Sequence, residues 1–339
     1  MKNKKKSLKK NKKIVCFGGG SGTSIVLSGL KKYPADLTAV VSMFDDGGSS
    51  GKLRRELGVS PVGDIRQCLT TLSNNDTLAD LFHYRFNQGE LKGHNLGNLL
   101  IVAEAEMAGD LNRGLEKIGK ILDVKGKIVP VTLEKANIKA ILKNNEKING
   151  EENIINCKYL SHIGIKKLFL EPKVKANAKA VSAIKNADLI IIGPGKLYTS
   201  LIPIFLIKEI KDAIQCSRAK KIFICNLMTQ VGNTDYFEVE DFTAVLEKYL
   251  GRNVIDYVIF NTGRLSPSLM KKVKKVFPNV DFIQYGKKLL KKKNFIGADV
   301  LDRNIHKLNP ADILVSKANQ RTIIFHNPNK LAKEILDIC

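Results

Sequence analysis

Ile14-Val15-Cys16-Phe17-Gly18-Gly19-Gly20-Ser21-Gly22-Thr23 decides the fold. Four apolar, β-prone residues run directly into a glycine cluster, and a helical pattern follows over about 22–32. Glycine carries no Cβ, so the turn can bring bare N–H groups close to a ligand, usually an anion. The same grammar repeats at once. Leu37–Met43 reads as a second apolar strand, and Phe44-Asp45-Asp46-Gly47-Gly48-Ser49-Ser50-Gly51 as a second glycine-rich loop.

Working outward, helical patterns are expected over about 64–73, 76–87, 95–108 and 111–122. Between 128 and 170 the texture changes to short runs, Val129–Thr132, Ile138–Leu142 and Ile154–Lys158, with turn signals at Asn144-Asn145 and Asn149-Gly150. These predict an antiparallel insertion. Apolar strands then return at 187–192, 221–225 and 254–260, each running into a polar loop. Runs buried on both faces belong to parallel sheets with helices on either side. The expected fold is therefore α/β, a mostly parallel sheet covered on both faces, with a small antiparallel insertion. Residues 14–339 read as one domain, and the lysine-rich start, residues 1–13, as a disordered basic tail.

The formal charge of +23 arises from 56 Lys and Arg against 33 Asp and Glu. Lysine far outnumbers arginine and is spread along the chain, tryptophan is absent, and basic residues do not interleave with aromatics. A specific nucleic-acid site is not expected from that pattern. No apolar run reaches the roughly 18–20 residues that span a bilayer, so membrane insertion is not expected either. Six scattered cysteines without a Cys-x-x-Cys pair suit reduced thiols in the cytoplasm. Zinc-type spacings are missing, and no Gly-x-Ser-x-Gly elbow supports a serine nucleophile.

In open parallel sheets, ligands bind beyond the carboxyl ends of the strands, where the polar loops should converge. The candidate ligand residues follow from that placement. The first loop offers Gly19, Gly20, Ser21 and Gly22; it lacks the ending of a P-loop and matches the dinucleotide fingerprint only in part. The second offers Asp45, Asp46, Ser49 and Ser50. One aspartate is expected to cap the following helix and the other to face ligand. Asp64 is expected as an N-cap, with Arg66 one turn in as a phosphate contact or a partner of the Asp pair. His94, Asn95 and Asn98 crowd the start of another helix. Gly193, Gly195, Tyr198, Thr199 and Ser200 follow a later strand, and Asn226, Thr229 and Gln230 the next. Asp45-Asp46 also stands near where a nicotinamide-binding acid would hold a ribose, which keeps an NAD-dependent dehydrogenase among the readings.

Taken in order, Gly18–Gly22, Asp45–Gly51, Gly63–Arg66, Gly93–Leu99, Gly193–Ser200 and Asn226–Gln230 resemble the YvcK-like gluconeogenesis factors, which belong with the CofD-like 2-phospho-L-lactate transferases. The resemblance runs from about residue 13 to the C-terminus. It implies a Rossmann-like fold that binds a UDP-sugar such as UDP-N-acetylglucosamine. It further implies a cytoplasmic regulator of cell shape, cell-wall precursor supply and growth on gluconeogenic carbon sources, without established turnover and with no certain cofactor. A protein partner in precursor supply is expected on the same ground; homo-oligomerisation is left open. The CofD branch implies the alternative, a transferase moving a phospho-containing group from a nucleotide-linked donor with Mg²⁺, in which Asp46 would be the catalytic residue. The chain departs from the family pattern at Lys196, where serine is usual, at Val231 and Asn233, and at Phe325-His326-Asn327-Pro328, which lacks the family's arginine.

Overall fold

The computed structural model describes residues 11–304 and 323–339. Strands are β1 (Lys12–Gly18), β2 (Ala35–Val41), β3 (Lys127–Pro130), β4 (Asn137–Leu142), β5 (Lys147–Asn149), β6 (Ile165–Glu171), β7 (Leu189–Ile192), β8 (Lys220–Ile224), β9 (Tyr257–Asn261) and β10 (Phe295–Ala298). The helices that position the site are α1 (Ser21–Leu30), α2 (Gly48–Leu57), α3 (Gly63–Leu72), α4 (Asp76–His83), α5 (Leu96–Ala108), α6 (Leu111–Ile121) and α7 (Glu151–Asn156). After these come α8 (Leu160–Ile163), α9 (Ala178–Lys185), α10 (Ile202–Phe205), α11 (Lys208–Cys216), α12 (Val239–Leu250), α13 (Pro267–Val276) and α14 (Pro328–Ile338).

Among the described residues, seven strands form one sheet in the order β10-β9-β8-β7-β1-β2-β3, with every pairing between them parallel. Ile14, Val15, Cys16 and Phe17 of β1 and all four residues of β7 are at most 2% exposed, so the sheet is covered on both faces. That burial explains why these strands read as unbroken apolar runs and not as alternating ones. α1 packs on α3 and α14, and α9 on α11. Four of the six cysteines are buried, and none forms a disulfide.

The chain winds outward from β1 to β2 and β3, then returns to place β7 on the other side of β1. The order of the strands reverses between β1 and β7, and such a switch point opens a crevice at the carboxyl edge. Register sharpens it. Phe17 is opposite both Val40 and Ile192, and the Gly193 N–H donates to Phe17 O at 2.9 Å, so the loops after β1, β2 and β7 leave the sheet at one level.

Three expectations are corrected. Val129–Thr132 does not belong to the insertion: β3 pairs in parallel with β2, Val129 opposite Val40, as the outer strand of the main sheet. Ile154–Lys158 is not a strand, because Ile154 lies in α7, which caps the three-stranded antiparallel sheet β5-β4-β6. The basic tail is shorter at its inner end, since Lys12 and Lys13 already pair with Ala35 and Asp36; residues 1–10 of that tail lie outside the described residues. No described helix is long and apolar enough to cross a membrane.

Candidate functional site

A cleft of about 720 Å³ opens at the β1/β7 switch point. Of the expected residues, Gly19, Gly20, Ser21 and Gly22 line it from the first loop, and Asp45, Ser49 and Ser50 from the second. Arg66 and Asn98 form its floor, Gly195, Thr199 and Ser200 a third side, and Asn226, Thr229 and Gln230 a fourth. Five others, Asp46, His94, Asn95, Gly193 and Tyr198, are not among its lining residues.

Close contact between the first and third loops is possible only without a side chain at residue 22. A Cβ on Gly22 would lie 2.0 Å from Pro194 O. Behind them, Asn226 braces Gly195 twice, accepting its N–H at 3.1 Å and donating Nδ2–H to its carbonyl at 2.9 Å. Ser49 Oγ accepts from Asn98 Nδ2 at 3.3 Å and stands 3.3 Å from His94 Nδ1. Asn95 is spent as the N-cap of α5, its side chain accepting the Asn98 N–H. Arg66, 3% exposed, donates through Nε to Asn98 Oδ1 at 2.9 Å, which fixes the direction of its guanidinium. Tyr198 is buried, and burial raises its phenol pKa.

The two aspartates divide differently from the expectation. Neither caps α2, whose N-cap is Gly47 and which has no side-chain cap. Asp45 Oδ1 accepts the Gly47 N–H at 3.1 Å and so shapes the loop. Asp46 turns away, accepting the N–H groups of Glu151 and Glu152 at 2.8 Å each, one with each carboxylate oxygen. It ties the antiparallel insertion to the main sheet. Both oxygens of Asp46 thus each accept one backbone N–H, and no three His, Cys, Asp or Glu side chains among the described residues are grouped to hold a metal. Asp64 is likewise not an N-cap, a place taken by Val62. Its carboxylate instead lies against Gly19 and Gly20, in the space a Cβ on either would need.

The helix starts show what the cleft can hold. α4, α5, α6, α9, α13 and α14 each begin with an Asn, Asp or Ser whose side chain accepts a first-turn N–H. By contrast α1, α2 and α3, whose first residues line the cleft, have Gly20, Gly47 and Val62 at the N-cap and no side-chain cap. Three helix N-termini thus turn positive dipole ends toward one space. Thr199 Oγ1 is buried there with no hydrogen-bond partner. The opposite wall is apolar, built from Leu227, Met228, Val273, Phe277 and Val280. One wall suits phosphate and hydroxyls, and the other a planar ring or an acyl group.

Several lining residues had no sequence signal. Glu151 reaches the cleft from α7 only because the insertion folds back onto the Asp45-Asp46 loop. It is 4% exposed, and Lys196 Nζ lies 3.7 Å from its Oε1. Burial first, then the charge of Asp45, hold its carboxyl well above the usual range, with Lys196 opposing. His326, from the Phe325–Pro328 string that the sequence did single out, also lines the cleft; burial lowers it to about 4, so it is neutral, and its Nε2 is 3.2 Å from Cys225 O. Gln67 accepts the Ser21 hydroxyl at 2.9 Å.

Residues 14–296 match the family model described as 2-phospho-L-lactate transferase CofD. Relatives named "Putative gluconeogenesis factor" include one from Clostridium acetobutylicum, 44% identical over 79% of this chain and 60% of its own length. Another, from Thermotoga maritima, is 41% identical over 80% of this chain and 85% of its own. The alignment thus leaves two fifths of the Clostridium relative unmatched. Among solved structures, a Bacillus halodurans protein described as a member of the upf0052 family superposes with a TM-score of 0.85 at 34% identity, covering 96% of this chain and 99% of that one. The chain belongs to the CofD family, alongside relatives that carry the gluconeogenesis-factor name.

Proposed function

We propose that the cleft binds a nucleoside-diphosphate sugar of the UDP-N-acetylglucosamine type and that the protein acts as a regulator responding to it. The helix N-termini carry this reading: α1 and α2 supply first-turn N–H groups without a side-chain cap, and α3, whose Gly63 N–H already donates to Ser50 Oγ at 2.9 Å, adds its dipole where a diphosphate would sit. The apolar wall at Met228 and Phe277 receives the base, and Asn98, Thr199, Thr229 and Gln230 are placed for hydroxyl and amide groups. Both aspartates being engaged in hydrogen bonds to backbone favours binding over turnover. The relatives' shared name suggests a setting in gluconeogenesis, and the proposal extends this to a cytoplasmic role in wall-precursor supply.

Thermal unfolding with UDP-N-acetylglucosamine, GDP and NAD tests the reading. At one hundred times its dissociation constant, a ligand stabilises the fold by about 2.7 kcal/mol. A rise in midpoint with the UDP-sugar is expected, larger than with the other two. A rise with NAD alone would support the dehydrogenase instead. Conversion of a nucleotide sugar in the presence of Mg²⁺ and cell extract would support the transferase.

A further inference from the structure

The apolar wall of the cleft continues through Ile324, which packs with Leu227, Met228 and Val273 and also lines the cleft. Two residues further on stands His326, 4% exposed and itself a lining residue. Its backbone is fixed on both sides. His326 pairs with Leu301 in an isolated antiparallel bridge, and the Asn327 N–H donates to Val300 O at 2.7 Å. The Asn327 side chain then caps α14. The imidazole is thus set in one place, at the edge of a wall with no other polar purpose.

Its hydrogen-bonding state follows from its one partner. Nε2 stands 3.2 Å from Cys225 O, and a backbone carbonyl can only accept, so Nε2 carries the hydrogen and donates it. Burial lowers the imidazole pKa to about 4, so at neutral pH the ring holds that single hydrogen. Nδ1 is then a bare lone pair, and no protein donor meets it among the described residues. Asn226, next to Cys225, cannot serve it, because its amide is spent on Gly195. An acceptor held out of water without a donor costs free energy that a ligand N–H would recover.

We propose that His326 reads the base of the nucleotide, its Nδ1 accepting a hydrogen bond from a ring N–H, so that the cleft selects a base with a hydrogen at that position, as uracil has at N3, over one that presents a lone pair there, as cytosine and adenine do. This rests on the reading that the cleft holds a nucleoside diphosphate with its base on the apolar wall. The wall buries any base, since each has an apolar face, and so does not discriminate. His326 does. Uracil N3–H meets the Nδ1 lone pair, whereas cytosine N3 would set a second lone pair against it and leave two acceptors buried without a donor. A site built around a hydrogen bond rejects the analogue that lacks the donor more strongly than an apolar pocket rejects a change of shape.

The test is titration calorimetry of the full chain near neutral pH with UDP, CDP and ADP, and with 3-methyl-UDP, in which a methyl group replaces the N3 hydrogen. UDP is expected to bind at least about tenfold more tightly than CDP and ADP, and 3-methyl-UDP to fall to the level of CDP. His326→Phe keeps a ring and loses the acceptor. Its UDP affinity should drop about tenfold while its CDP affinity does not, a split that a general loss of structure would not produce. His326→Asn, whose Oδ1 takes the place of Nδ1, should keep the preference for UDP. Thermal unfolding verifies that each variant is folded, and the comparison of UDP with 3-methyl-UDP needs only the native chain. Equal binding of UDP and 3-methyl-UDP, or a preference for UDP over CDP that survives in His326→Phe, overturns the role of His326 and leaves the diphosphate reading standing. Failure of UDP, CDP and ADP alike to bind the native chain overturns both.

Discussion

Gly22→Ala is expected to destabilise the protein by about 3 kcal/mol, at the upper end for overpacking, and to weaken UDP-N-acetylglucosamine binding at least about tenfold. The added Cβ would stand 2.0 Å from Pro194 O and 2.7 Å from Pro194 C, well inside contact distance. Neither side can yield cheaply. Residue 22 lies in the first turn of α1, and the Pro194 backbone is held by the Gly193 N–H bond to Phe17 O and by the Asn226 brace on Gly195. The loops after β1 and β7 must part, and with them two walls of the cleft. Urea unfolding followed by titration of the folded fraction measures both effects. Gly119→Ala on α6 is the control, because a Cβ there meets nothing within 4 Å and should be neutral or mildly stabilising. Equal behaviour of the two variants would show that the close approach at Gly22 is not needed.

Asp46→Ala carries the second large effect. It removes the acceptors of two backbone N–H groups, those of Glu151 and Glu152, which start α7 and have no side-chain cap of their own. Hydrogen bonds to a charged partner contribute about 1.5–3 kcal/mol each, so a loss of about 3 kcal/mol is expected, and a smaller one for Asp46→Asn, which keeps one acceptor. The damage should be local first. Limited proteolysis should open the insertion at 137–171 before the main sheet, because Asp46 is what ties α7 to the loop after β2. If Asp46 instead served catalysis, the Asn variant would keep its stability and lose a turnover.

What could be read from the sequence and what could not differ for physical reasons. The loops after β1, β2, β7 and β8 were legible because each is a backbone requirement: an unbroken apolar strand buried on two faces, then glycine where chains approach. Their convergence followed from parallel topology, and the register of Phe17 with Val40 and Ile192 places them level. Hydrogen-bond assignments were not legible, since they depend on tertiary neighbours. Asp46 and Asp64 sit where local rules favour helix caps, yet one serves a helix 105 residues away and the other packs on the first glycine loop. Ile154–Lys158 has the composition of a strand but follows two glutamates whose N–H groups meet Asp46, so it begins as a helix. Glu151 and the apolar wall on α13 enter the site from elements whose docking no local pattern encodes.

Hydrogen exchange with and without UDP-N-acetylglucosamine addresses the central claim, that the ligand sits at the β1/β7 switch point. Slower exchange is expected in 18–23, 45–51, 193–200 and 226–230, with the strongest protection at the first turns of α1 and α2, where uncapped N–H groups gain partners. Protection confined to other surfaces, such as the smaller cavity lined by Val59, Val102 and Leu133, would contradict the account, as would no change at saturating ligand.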